Sequence, residues 1–273
     1  MEDLWITQGP AELDAWIERT GVERDAVARI AEGLRISAEG RVAEHADGQS
    51  PEVYFPGLRS TPWWDDRSSF PWLDRLEAAA PDIRAELTAY RAREDRSVSH
   101  PTGLAPQDAW RALYLTCIGK AQDDVRAFFP RTVDALRAVP GEASCGMTYF
   151  SSIEGETDIA PHSGFTNAHL RCHLSLVATE GSSIRVHAEW RSWVEGKAIV
   201  FDDSYDHEVR NRGPERRTVL LLDFWHPDLS PVEISALDHM MDVWRRMYSR
   251  HFWADQLTGG ATSETRHVGA VVS

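Results

Sequence analysis

The chain has 273 residues, 42% hydrophobic and 26% charged, with eleven tryptophans, which is enough apolar material for one large domain or two small ones. Forty-three acidic against twenty-nine basic residues give a formal net charge of -14. That balance argues against a general nucleic-acid binder, because phosphate contacts need clustered cations. Only Lys120 and Lys197 are lysines, so recognition of an anion falls to arginine forks. Cys117, Cys145 and Cys172 are odd in number and widely spaced, which fits neither a disulfide framework nor a thiolate zinc site. The opening MEDLWITQGPAELDAW lacks a basic region followed by an apolar run. No apolar run approaches the roughly 20 residues that span a bilayer. The expectation is a soluble, cytoplasmic protein.

Residues 1–45 read as a helical extension. Leu13, Trp16, Ile17, Val22, Val27, Ile30 and Leu34 recur at helical intervals, and Gly21 divides two pieces. Residues 43–69 are irregular, with the rings of YFPGL (54–58) and PWWD (62–65) placed beside turn formers as packing anchors. A helix is expected over 71–94, carrying Leu73, Leu76, Ile83, Leu87 and Tyr90 despite Pro81. After a loop, AWRALYL (109–115) reads as a buried strand, followed by a helix over 122–138 that Pro130 starts or kinks.

From residue 145 short β-branched and aromatic runs alternate with turn signals: 146–152, 170–178, 183–190, 197–203 and 217–225. Leu170, Cys172, Leu174 and Leu176 alternate with Arg171, His173, Ser175 and Val177, so Arg171 and His173 share one face. Strands at this spacing indicate a sandwich or barrel, and no glycine-rich phosphate motif follows a strand. A last amphipathic helix over 232–251 carries Leu237, Met240, Met241, Val243, Trp244, Met247 and Tyr248. Residues 253–273 are expected to form a flexible tail.

Six of the eleven histidines lie between His162 and His226. His162 precedes the strand with Arg171 and His173, and His207 lies in DDSYDHEV beyond KAIVF. Two imidazoles from separate strand ends of a small barrel can converge on iron, zinc or copper, leaving coordination positions open. Spacing alone leaves the alternative of hydrogen-bonded structural histidines standing.

Three ordered stretches carry a further signal: PHSGFTNAHLRCHLSL (161–176), WVEGKAIVFDDSYDHEV (193–209) and RRTVLLLDFWHPDLS (216–230). Together they resemble the aspartyl/asparaginyl beta-hydroxylase family of iron(II)- and 2-oxoglutarate-dependent dioxygenases. YFPGL and the tryptophans after it are similar to the segment before that family's core, so the resemblance runs from about residue 50 to 232.

The resemblance implies a mostly β fold with helical support, an α+β chain built on a double-stranded β-helix (jelly-roll, cupin-like) core at about 145–230. That core would sit within a single dioxygenase domain over 46–252. It implies iron(II) and 2-oxoglutarate as cofactors and dioxygen as cosubstrate, with His162 and His207 as the catalytic metal ligands. Arg217 matches the arginine that grips the distal 2-oxoglutarate carboxylate, Arg171 and His173 the pair near the metal-bound carboxylate, and Ser151 a hydroxyl contributor. Most iron/2-oxoglutarate oxygenases add an Asp or Glu two residues after the first histidine, whereas here that place is Gly164. The family's hydroxylases proper share this departure, with water in the vacated position. Asp202, Asp203, Asp206 and Glu208 are then expected to orient imidazoles and water instead of ligating.

The expected reaction hydroxylates an unactivated carbon, the beta carbon of an Asp/Asn-like amino acid that is free, carrier-linked or in a small peptide, with release of succinate and CO2. A small-molecule or natural-product intermediate is the preferred substrate, with no nucleic-acid or membrane partner. The competing readings are a hydroxylase of another amino acid, a cupin-like binding or scaffold protein without catalysis, and a metal hydrolase or isomerase in the same barrel.

Overall fold

A computed structural model describes residues 3–41 and 45–248. Two antiparallel sheets stack around a shared interior. The larger sheet runs β1 (Val98–Ser99), β2 (Trp110–Cys117), β4 (Thr148–Ile153), β11 (Arg217–Trp225), β6 (His169–Val177) and β9 (Ala198–Phe201), with β3 (Lys120–Ala121) also on β2. The smaller runs β5 (Thr157–His162), β10 (His207–Asn211), β7 (Ser182–Val186) and β8 (Glu189–Ser192). Two facing antiparallel sheets of this kind form the expected jelly-roll.

Strand alternation sorts the side chains. One face of the larger sheet carries Leu113, Phe150, Leu170, Cys172, Leu174, Leu220 and Leu222, all buried under helices. Those helices are α3 (Leu73–Ala78), α4 (Ala80–Arg93) and α6 (Pro130–Leu136), which contribute Leu76, Ile83, Leu87 and Leu136. The opposite face carries Ala112, Tyr149, Ile153, Val219, Leu221 and Phe201, and meets Ile159, Val209, Ile184 and Val186 of the smaller sheet. The functional side chains lie on this inner face.

A third core joins α1 (Asp3–Thr20) and α2 (Ala28–Ala38) to α7 (Pro231–Tyr248), where Leu13, Trp16, Ile30 and Leu34 pack with Leu237 and Met240. Phe55 and Trp225 belong to the same cluster, so the N-terminal helices share a core with the sheet region. Phe55, Trp63 and Trp64 are buried, as packing anchors should be. No described helix is long and apolar enough to cross a membrane. The three cysteines are buried and free. The expected tail, and the side chains of Met247 and Tyr248, lie outside the described residues.

Four local readings change. The helix expected over 71–94 is two, α3 and α4, with Pro81 in the first turn of α4, where its missing N–H costs nothing. The helix over 122–138 is likewise two, α5 (Asp123–Arg126) and α6, and Pro130 begins the second. The run 183–190 is a hairpin, because His187 takes a φ of 54° and reverses the chain between β7 and β8. The strands β5 and β10 have no counterpart in the sequence reading, and they are the two that end on the key histidines.

Candidate active site

His162 closes β5 and His207 opens β10, and the two are direct antiparallel partners. Their ring centroids are 4.1 Å apart at an interplanar angle of 51°. Each ring is fixed in the same way. His162 Nδ1 lies 2.8 Å from the Ala160 carbonyl and His207 Nδ1 lies 2.9 Å from the Tyr205 carbonyl. A carbonyl only accepts, so each Nδ1 carries the proton and each Nε2 keeps its lone pair. Burial, reinforced by His207, lowers the His162 pKa to about 3, and burial lowers that of His207 to about 4. Both rings are therefore neutral near neutral pH, the form in which imidazole binds a metal.

The position two residues after His162 is closed off by the turn that follows β9. A β-carbon on Gly164 would fall well inside van der Waals contact with the Asp203 carboxylate, and Gly164 N–H donates to the Asp203 carbonyl at 2.6 Å. Asp203 is fully buried at an ion-pair distance of 2.9 Å from Arg171 Nη1. Arg171 in turn donates through Nε and Nη2 to Asp223, at 2.8 and 3.3 Å. Asp223 is seated against Gly146 as Asp203 is against Gly164, so two glycines make room for the two carboxylates that hold Arg171. His169 completes the cluster at 3.3 Å from Asp203.

The electrostatics follow from that packing. Burial opposes the Asp203 charge, but Arg171 and His169 hold its carboxyl well below the ordinary range. Burial also works against charge on His169, and Asp223 with Asp203 outweighs it and raises that ring. His169, Asp203 and Asp223 could between them offer ligand atoms within 4.8 Å of one another. Arg171 already stands between the carboxylates, so the cluster is an internally paired ion network, a poor second cation site.

Arg217 is the opposite case. It opens β11, is 1% exposed, and its Nε and Nη1 meet no hydrogen-bond partner. Its guanidinium carbon lies 4.1 Å over the Trp193 ring. Burial lowers its pKa to about 9, which still leaves it charged at neutral pH. A buried cation with two nitrogens unpartnered among the described residues is an expensive arrangement unless an anion completes it.

The neighbouring polar groups share the inner face by register. Ser151 pairs with Val219 on β11, and His173 pairs with Leu221. Ser151 Oγ accepts from Trp110 Nε1 at 3.0 Å, leaving its own proton uncommitted. Both ring nitrogens of His173 are buried without hydrogen-bond partners. Burial, then Arg217 and Arg171, push that ring well below the ordinary histidine range. Of the residues expected from the sequence, His162 and His207 are brought together, and Ser151, His173 and Arg217 line one face. Arg171 lies on the same face, committed to two carboxylates, with two of its five N–H groups left over.

Some site residues escaped the sequence reading. Trp193 stacks on His173 at 6.0 Å as well as under Arg217, and Phe201 meets both His173 and His207 edge-on. Tyr149 and Ser175 were detectable by alternation, two residues from Ser151 and from His173. His100 left no signal: its ring lies flat on Trp110, centroids 3.4 Å apart, and its Nε2 is 3.5 Å from the Tyr149 hydroxyl.

Comparison with known proteins adds to this geometry. A family model described as Aspartyl/Asparaginyl beta-hydroxylase matches residues 77–227. Human aspartyl/asparaginyl beta-hydroxylase is similar at 31% identity over 187 residues, covering 66% of this chain and 25% of that protein. The ornithine lipid ester-linked acyl 2-hydroxylase of Rhizobium tropici is 34% identical over 177 residues, 61% of each chain. Human aspartate beta-hydroxylase domain-containing protein 2 is 30% identical over 221 residues, 77% of this chain and 59% of that one. The chain thus spans a quarter of the first relative's length and about three fifths of the other two.

Proposed function

The chain belongs to the aspartyl/asparaginyl beta-hydroxylase family, and we propose that it is an iron(II)- and 2-oxoglutarate-dependent dioxygenase. The observation that carries this reading is the pairing of two neutral, pre-oriented imidazoles with a buried guanidinium whose Nε and Nη1 meet no hydrogen-bond partner among the described residues. Two nitrogen donors suit a divalent iron that must keep positions open for other ligands. Bound there, iron with 2-oxoglutarate would supply the reductive activation of dioxygen, one oxygen atom hydroxylating an unactivated C–H and the other leaving in succinate, with release of CO2.

The chain's own residues do the placing. His162 and His207 hold the ion through Nε2, and their backbone hydrogen bonds keep those atoms aimed at it. Arg217 grips the distal carboxylate of the cosubstrate through its fork, flattened against Trp193. Ser151 and His173 add a hydroxyl and a neutral ring on the same face. Arg171 presents its two spare N–H groups near the metal-bound end, held in place by Asp203 and Asp223. Neither ligating histidine acts as a general base.

For substrate we propose an amino-acid-like molecule, free, carrier-linked or in a small peptide, hydroxylated at the beta carbon as an Asp or Asn residue would be. The test is succinate release by the full chain with iron(II), 2-oxoglutarate and a panel of amino acids and short peptides, followed by product mass. His162→Ala and His207→Ala should abolish turnover, and Arg217→Ala should chiefly weaken 2-oxoglutarate binding. Unchanged 2-oxoglutarate consumption in all three variants would overturn the assignment.

A further inference from the structure

The ion network of Arg171, Asp203 and Asp223 forms one wall of a cavity of about 170 Å3 that none of His162, His207 or Arg217 lines. Gly164, two residues after His162, also borders it. Arg171 pairs in register with Phe201, whose ring meets His207 edge-on, so the cavity adjoins the histidine pair. Apart from His169 and Thr166 the remaining surface is apolar, and Phe55, Ile118, Met147, Phe165, Met241 and Trp244 are part of it. Phe165 and Trp244 stack face to face, centroids 5.0 Å apart and 11° from parallel.

One wall residue is strained. Ile118 holds a φ of 48°, a left-handed conformation that a β-branched side chain strongly disfavours. It is kept there by its neighbours: its N–H donates to Met147 Sδ at 3.3 Å, and its carbonyl accepts from Arg245 Nη1 of α7 at 3.0 Å. Ile118 and Gly119 (φ 62°) are the two turn residues of the β2–β3 hairpin, whose tight reversal requires a positive φ at both. The strain fixes the Ile118 side chain as part of the cavity lining while tying the β2–β3 turn to α7.

We propose that this cavity receives an uncharged apolar group of the substrate, about the size of a benzene ring, while the reacting carbon lies beside the histidine pair. The inference rests on the oxygenase reading above and narrows its substrate class. A dry apolar cavity of ~150 Å3 is known to hold benzene, so the volume matches. A charged occupant would have to compete with Arg171 and His169 for Asp203 and Asp223, and beyond that network the walls offer no charged group. The substrate is therefore an amino-acid-like molecule with an apolar arm, such as a Leu or Phe side chain next to the residue that is hydroxylated.

Two measurements on the full chain test this. In the first, binding of fluorobenzene is followed by its fluorine NMR line. Wild type should broaden the line, and Met241→Trp, which fills the cavity, should weaken binding at least tenfold at an unchanged melting temperature. Trp244→Ala enlarges the cavity and should admit 1-fluoronaphthalene, which wild type should not. Absence of fluorobenzene binding, or equal binding in wild type and Met241→Trp, overturns the proposal. In the second, succinate release is compared for N-acetyl Asp-Phe, Asp-Leu, Asp-Ser and Asp-Lys amides. The apolar pair should be favoured at least tenfold in kcat/KM, and Met241→Trp should erase the preference. Turnover without that preference overturns the substrate assignment. No succinate from any of the four peptides also overturns the substrate assignment, whereas fluorobenzene binding that meets every expectation, together with no 2-oxoglutarate binding to the iron(II)-loaded chain, supports the apolar site and counts against the oxygenase reading instead.

Discussion

Gly164 and Asp203 are packed so closely that the position two residues after His162 has no room for a side chain. The missing carboxylate of the usual facial triad is thus a steric consequence of this fold: a carboxylate from beyond β9 already occupies the space, locked by Arg171. Gly164→Ala must displace Asp203 and should cost ~1–3 kcal/mol, the range for overpacking a filled interior. In an Asp203→Ala background the same change should cost much less, because the obstructing group is gone. Urea unfolding of the two single variants and the double variant gives the coupling. Strict additivity would show that the two residues do not compete for space.

His226 makes a prediction about acid stability. It is 1% exposed, lies 3.0 Å from the Arg59 carbonyl through Nε2, and accepts from Asp228 N–H through Nδ1 at 3.1 Å. That pattern requires the neutral ring, and burial lowers its pKa to about 4 against an ordinary 6.5. Between those values the unfolded chain binds the extra proton, so stability rises with pH. The contribution is complete above about pH 6.5 and lost as the pH falls through 4, worth ~3 kcal/mol. His226→Gln removes the titration, so the difference between wild-type and variant unfolding free energies should shrink from pH 7.5 to pH 4. A difference that stays constant with pH would refute the assignment.

Trp193 supports Arg217 from beneath, a contact worth ~0.5–2 kcal/mol where the cation is desolvated. Trp193→Leu should therefore raise the Kd for 2-oxoglutarate by roughly 2- to 30-fold. Iron affinity should be little changed, since the His162 and His207 rings are held by the backbone carbonyls of Ala160 and Tyr205. Calorimetric titration of metal and of cosubstrate separates the two effects. Loss of iron binding without loss of 2-oxoglutarate affinity would reverse the roles.

What the sequence made legible was what alternation can encode. The β6 pattern set Arg171 and His173 on one face, and the buried strand at 109–115 and the ring anchors at 54–65 emerged from local apolarity. β5 and β10 did not, because TDIAPH and HEVRN each bury one aliphatic side chain among charged and polar ones. Their pairing depends on each other and on β7, a long-range fact without a local period. Arg171 was visible, but its two carboxylate partners come from β11 and the stretch after β9, so its neutralisation appears only once the sheets are assembled. Trp193 and His100 were equally hidden, one just beyond a hairpin and the other in a loop.

Arg217 gives the sharpest test, because stability and binding should move in opposite directions. Its guanidinium is fully desolvated, with Nε and Nη1 unpaired, so the charge is a burden on the cosubstrate-free protein. Methionine has similar length and no charge. Replacing buried ionic groups by apolar ones of similar volume has stabilised other proteins by ~1–4 kcal/mol, and Arg217→Met should do the same here. The same variant should lose the response to 2-oxoglutarate. At about one hundred times Kd, a ligand that binds only the folded form adds ~2.7 kcal/mol, which appears as a rise in Tm for wild type. Arg217→Lys should fall between them, keeping a charge but not the planar fork. Differential scanning calorimetry under anaerobic conditions, with iron(II) and with or without 2-oxoglutarate, reads all of these together. If Arg217→Met melts below wild type in the absence of 2-oxoglutarate and still gains the full ligand-induced shift, Arg217 is a structural residue and the anion pocket lies elsewhere.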